Sequence, residues 1–169
     1  TTGLRAEDHT LWPPLAQMAV FILMFAGGCS GSASGGIKVI RHVVLFKQVK
    51  NEIGRLLHPS GVFSLQLDKK PGEKHVVYSV AAFIFLYFLL LGLGALLIGS
   101  STGAGLFDSV NASALALGNI GLGLGSLISG GIFYETPGYV KWAFSFLMIA
   151  GRLELFTVLL LFVPGFWRR

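Results

Sequence analysis

Apolar and polar residues alternate along this chain with several different periods, and each period predicts a different element. The clearest run is Val76 to Ile98, VVYSVAAFIFLYFLLLGLGALLI, 23 residues without a charge. At 1.5 Å per residue it forms a helix of roughly 35 Å, longer than the ~30 Å hydrocarbon core of a bilayer. A second run, Val140 to Val163, carries Arg152 and Glu154 near its middle. It is closed by Pro164 and Gly165 and anchored by Phe166, Trp167, Arg168 and Arg169, the aromatic and basic types that settle at a membrane interface. A third begins after Trp12-Pro13-Pro14, where proline suits a first helical turn, and stays apolar over the twelve residues from Leu15 to Ala26. Twelve residues cannot span a bilayer.

From Ile37 the pattern turns amphipathic. Ile37, Ile40, Val44, Val49, Ile53 and Leu57 recur at helical spacing against Lys38, Arg41, Lys47, Lys50 and Arg55. His58-Pro59-Ser60-Gly61 ends that helix, and LDKKPGEKH is a charged loop before the long span. Between the apolar and the amphipathic halves lies GGCSGSASGGIK, with five glycines and three serines from Gly27 to Gly36, a composition that cannot hold an ordinary helix. Gly99 to Tyr139 is too long for a simple turn between spans. Within it Phe107 to Leu117, FDSVNASALAL, predicts a short helix capped by Asp108 or Ser109 and stopped by Gly118. Eleven residues make about 17 Å, so this helix enters a bilayer partway, and the glycine-rich GNIGLGLG follows it. Non-helical backbone at membrane depth is tolerated only where protein or a water-filled cavity satisfies its polar groups. The order span, half-helix, filter-like strand, span is one that presents carbonyls to a cation.

Composition agrees with lipid as the solvent: 53% of the 169 residues are hydrophobic and 12% are charged. Of the thirteen Lys and Arg residues, eight fall between Lys38 and Lys74, which assigns that region to the cytoplasmic side. The lone Cys29 allows no internal disulfide, and there is no CxxC or His/Cys cluster of metal-ligand spacing. The start Thr-Thr-Gly, without Met or a signal-peptide pattern, reads as that of a fragment.

The two ends of the chain repeat one another. Ile22 to Gly27, ILMFAG, aligns with Phe146 to Gly151, FLMIAG, at an offset of 124 with four of six positions identical. TTGL at the N-terminus then falls opposite NIGL at Asn119 to Leu122, so that Gly3 corresponds to Gly121. The chain thus divides into residues 1–57, the end of one pore repeat with its filter strand, broken second helix and cytoplasmic extension; 58–75, a cytoplasmic loop; 76–165, a complete repeat; and 166–169, a C-terminal anchor.

With GGCSGSASGGIK, NIGLGLG and MIAGRLELFTVLLLFVPGFWR in hand, essentially the whole chain resembles the Trk/Ktr family of bacterial potassium uptake proteins. Leu122 stands where many members have proline, and Leu4 where phenylalanine is common. The resemblance implies an all-α membrane protein built from helix, pore half-helix, filter loop and helix repeats, with four repeats around one ion path. It further implies a multi-pass inner-membrane location, homodimers, a cytosolic ring of nucleotide-binding regulatory subunits, and potassium as the transported ion with no cofactor bound by this chain. Residues 1–57 and 76–165 then correspond to the third and fourth repeats, and this chain alone is too little to enclose a four-sided pore.

The expected filter comprises Thr1, Thr2, Gly3, Asn119, Ile120 and Gly121, where glycine lets the backbone aim carbonyls at a dehydrated cation; Thr1 enters on the resemblance alone. The resemblance makes Gly27, Gly28, Cys29, Ser30, Gly31, Ser32, Ala33, Ser34, Gly35 and Gly36 an intramembrane loop that obstructs the pore. Arg152 completes the gate: a cation in mid-span must face protein or water. Glu154, two residues on, points to another side of a helix, so carbonyls and hydroxyls of Ser30, Ser32 and Ser34 are the expected partners of Arg152. Asn111 and Ser113 are expected to hydrogen-bond behind the filter. His9, His42, His58 and His75 are expected at solvated or interfacial positions, and Lys38 and Arg41 to snorkel to headgroups. GSASGGIK is not a phosphate loop, because Ile37 interrupts the Gly-Lys-Ser/Thr order, and no GxSxG frame occurs, so catalysis is not expected. Two alternatives to potassium uptake stay open: a sodium-coupled or less selective symporter of the same family, and a membrane scaffold that conducts nothing.

Overall fold

The computed structural model describes residues 11–32, 34–58, 66–67, 70–71, 74–121 and 136–167. Helix α1, Pro14–Met24, begins after Pro13 as the sequence predicts. Its outer face leaves Leu15, Met18, Ile22 and Leu23 exposed, while Phe21 and Phe25 turn inward onto other rings. Helix α2, Val39–Leu57, is the amphipathic element, burying Val44 and ending as the His58 N–H reaches the Gly54 carbonyl. A small antiparallel ribbon of β1, Gln66–Leu67, and β2, Lys70–Pro71, lies in the charged loop.

Helix α3, Lys74–Thr102, is the long span; among the described residues it alone is both long and apolar enough to cross a membrane as one helix. Helix α4, Leu106–Gly118, is the expected half-helix, one residue longer at each end than the sequence predicts. The capping expectation is corrected: Gly105 occupies the N-cap with no side-chain cap bond, Asp108 sits in the first turn, and the Ser109 hydroxyl donates back to the Gly105 carbonyl. With glycine at the cap, Asp108 still complements the positive end of the helix dipole.

Nearly all of α4 is buried, from Asn111 through Gly118, and its small residues Ala112, Ser113, Ala114 and Ala116 let α3 and the last helix close on it. Ser113 donates its hydroxyl to the Leu91 carbonyl of α3 at 2.8 Å, as a half-helix tied to its neighbour requires. Phe83 and Tyr87 of α3 stack at 6.2 Å, and Phe25 of α1 meets Tyr87 and Phe88, so aromatic rings close the core on the α1 side.

The last apolar run is divided. Helix α5, Gly138–Arg152, gives way at Leu153 and Glu154 to α6, Leu155–Leu160, and then to a short α7, Pro164–Trp167. The break comes from backbone geometry, since Glu154 takes φ 66°, left-handed and incompatible with a continuing helix. Pro13 (φ −57°, ψ 147°) and Pro137 (φ −57°, ψ 150°), 124 positions apart, precede α1 and α5. Both helices then break, α1 at Phe25 and α5 at Leu153.

Candidate functional site

The C-terminus of α4 ends in a tight turn. Asn119 adopts the left-handed conformation (φ 52°, ψ 41°); its N–H bonds to the Ala116 carbonyl at 3.2 Å, and the Ile120 N–H to the Leu115 carbonyl at 3.1 Å. This paired closure stops a helix cleanly and turns the chain out of it. The Asn119 side chain donates to the Met148 carbonyl of α5 at 2.9 Å, which fixes the turn against the last helix. Gly121 follows at φ 91°, a backbone state that costs little only for glycine. Asn119 and Gly121 open onto a cavity of about 340 Å³ that is walled by Ala112, Ala116, Phe144 and Met148.

The Gly/Ser stretch is an Ω-shaped loop with a closed neck. Ala26 bridges Ile37, Gly27 donates to the Ile37 carbonyl at 2.8 Å, and Val39 donates to the Gly28 carbonyl at 3.2 Å. Its serines serve the loop itself: the Gly28 N–H bonds to Ser34 Oγ at 3.0 Å and the Ser34 N–H to Ser32 Oγ at 3.2 Å. The body of the loop sits against the turn at the end of α4, where a Cβ added to Gly35 would lie 2.5 Å from the Gly118 carbonyl oxygen and 3.1 Å from Asn119 Cβ. Gly151 of α5 makes a still closer approach to the Leu117 carbonyl. Two backbone segments without side chains thus press on the last carbonyls of α4.

Arg152 is exposed at the end of α5 and, among the described residues, makes no hydrogen bond or ion pair. The expected contacts to Ser30, Ser32 and Ser34 do not form, because Ser32 and Ser34 are committed within the loop and the helix turns its glycine, Gly151, toward α4. The cation that reaches the loop is Lys38, whose Nζ donates to the Ser30 carbonyl at 3.1 Å and to Glu154 Oε1 at 2.5 Å. Arg41 takes the other carboxylate oxygen, Oε2, at 3.2 Å, and its guanidinium lies 3.7 Å from the centre of the Phe83 ring. Lys38 and Arg41 are therefore turned inward, with side chains 15% and 16% exposed, instead of snorkelling outward. A non-glycine residue at positive φ costs on the order of 1–3 kcal/mol. At Glu154 two cations hold the residue there.

His42 also departs from expectation: half-buried, it places Nε2 3.3 Å from the Phe25 carbonyl at the end of α1, while His58 and His75 are exposed. Asn111 is fully buried, and neither its amide nitrogen nor its oxygen has a partner among the described residues. Thr1, Thr2, Gly3, Ala33 and His9 lie outside the described residues. Sequence reasoning missed the Lys38–Arg41–Glu154 group. Its only signal was a Lys and an Arg three apart at the start of one helix and a single acid in the last apolar run.

A family model described as "TrkH: Cation transport protein" matches residues 1–168. The chain belongs to this family. The TrkH family is one of transporters, not of enzymes. Among curated relatives, the chain is 38% identical over 170 residues to the Trk system potassium uptake protein TrkI of Halomonas elongata, covering 100% of this chain and 34% of that protein. It is 36% identical over 168 residues to the Trk system potassium uptake protein TrkH of Escherichia coli K12, covering 99% of this chain and 34% of that protein. The crystal structure of the potassium transporter TrkH from Vibrio parahaemolyticus superposes with a TM-score of 0.77 at 33% identity, over 93% of this chain and 33% of that one. The chain thus spans about one third of the length of these TrkH-family relatives, and its all-α membrane fold is theirs.

Proposed function

We propose that this chain contributes two of the four sides of a potassium uptake pore in the bacterial inner membrane. Residues 119–121 and, by the repeat, residues 1–3 line the filter. Residues 27–36 form the gate below it. The observation that carries the reading is the end of α4: a buried half-helix that closes on Asn119 and is followed by a glycine at φ 91°, both lining a cavity. The negative end of a helix dipole favours a cation at that point, and carbonyls there replace its water shell. Gly35 against the Gly118 carbonyl supports an obstruction directly beside the filter turn. Arg152, exposed one residue past the glycine that packs on α4, is suited to add an electrostatic barrier to cations. By resemblance, the assembled protein is a multi-pass homodimer regulated by a cytosolic ring of nucleotide-binding subunits, with 58–75 on the cytoplasmic side.

The test is rubidium and potassium uptake, with and without sodium, in cells lacking their own potassium uptake and expressing the protein that carries this chain. Gly121→Asp places a side chain and a charge where φ is 91°; flux is expected to fall at least tenfold or to lose its preference for potassium. Flux at background level in the wild type points to a non-conducting scaffold, and unchanged flux in the variant removes Gly121 from the filter. Flux that requires sodium points to a symporter.

A further inference from the structure

Glu154 lies 116 residues from Lys38 and 113 from Arg41, yet its two oxygens are divided between them. Lys38 is the N-cap of α2 and Arg41 stands in its first turn, so two positive side chains share the positive end of a helix dipole. That arrangement is unfavourable by itself, and the Glu154 carboxylate is what offsets it. The same Lys38 holds the Ser30 carbonyl of the Gly/Ser loop, and Val39, next in the chain, donates to the Gly28 carbonyl at the neck of the loop. Arg41 is in turn held over Phe83 of α3. Glu154 itself occupies a left-handed backbone state at the break between α5 and α6. Strain of this kind persists where surrounding contacts over-determine it, and it marks points that have a second arrangement.

We propose that Glu154 is a positioning residue that latches the Gly/Ser loop shut, by clamping Lys38 and Arg41 at the loop's exit to the break in the last helix. The inference rests on the reading of residues 27–36 as the gate. Release of the clamp lets the start of α2 swing away from α5 and α6, draws Lys38 off Ser30 and loosens the neck. Because α2 continues for nineteen residues toward the basic loop, movement of its far end is delivered to this clamp.

The experiment uses the whole transporter and two readouts, rubidium flux and amide hydrogen exchange across residues 27–39. Glu154→Gln keeps the shape and removes the charge; it is expected to raise flux in the closed condition about tenfold, within the range of typical coupling between sites, and to speed exchange across 27–39. The swap Lys38→Glu with Glu154→Lys restores one of the two ion pairs and sets a lysine beside Arg41, so it is expected to return both readouts part of the way to wild type, further than either single change. Glu52→Gln, an exposed acid paired with Arg55 within α2, is the control and leaves both unchanged. Wild-type flux and exchange in Glu154→Gln overturn the latch, as does a swap that is no better than either single change. If Glu154→Gln fails to assemble in the membrane, Lys38→Gln replaces it with the same expected outcomes. A wild-type protein that carries no rubidium removes the transport reading, and the exchange measurement then decides the latch alone.

Discussion

At the scale of single residues, the site is set by where a side chain is missing. Gly35 and Gly31 lie four positions apart in one loop, yet a Cβ at Gly35 would meet the Gly118 carbonyl at 2.5 Å, whereas one at Gly31 meets nothing within 4 Å. Gly35→Ala must therefore displace either the loop or the turn at the end of α4. It is expected to cut rubidium flux at least tenfold or to change the potassium-to-rubidium ratio, while Gly31→Ala leaves both unchanged. Equal effects of the two substitutions in uptake assays would remove the contact from the account. Asn119 shows what an individual side chain adds: few residues other than glycine accept a left-handed C-cap, and its amide bonds the Met148 carbonyl as well. The composition of GGCSGSASGGIK made a break legible. Which of its glycines touches the turn after α4 was not, because that depends on a carbonyl 83 positions away.

Elements interact here through close backbone approach. Gly94 of α3 faces Ser113 of α4, and a Cβ there would also fall 2.8 Å from Leu147 Cδ1 of α5, so one glycine permits a three-helix contact. Gly94→Val is expected to push α3 off both partners and to cost roughly 2–3 kcal/mol, in the range of overpacked cores. It would be seen as a lower melting temperature in detergent, with Gly92→Val, which faces open space, as the comparison. A melting temperature equal to wild type would refute the packing role. The helical period of each run was readable directly, as α2 and α3 bear out. The division of the last run was not. LELFTVLL has ordinary helix formers around Glu154, and at the break its carboxylate pairs with two cations from a distant part of the chain.

For the whole molecule, the asymmetry of charge sets the direction. By the positive-inside rule, the eight basic residues from Lys38 to Lys74 predict α2 and the following loop on the cytoplasmic side and the start of α4 on the opposite side. In a Cys29→Ser background, His58→Cys is expected to react with a membrane-impermeant thiol reagent only after the membrane is opened. Leu106→Cys, exposed in the first turn of α4, is expected to react from outside. Reaction of both from the same side would overturn the topology. The apolar side chains that α1 leaves uncovered agree with a chain that covers one third of its relatives' length.

The amino-acid sequence by itself determined what depends on neighbours along the chain: the long span and the half-helix through their periods, and the break at Gly27 through its lack of side chains. Tertiary structure alone decided which groups meet. Arg152 was the conspicuous charge of the last run, yet Glu154 makes the ion pairs, because the backbone turns at Leu153 and aims the carboxylate at the start of α2. An ion pair forms only where a partner is within reach, and reach across more than a hundred residues is a property of the fold.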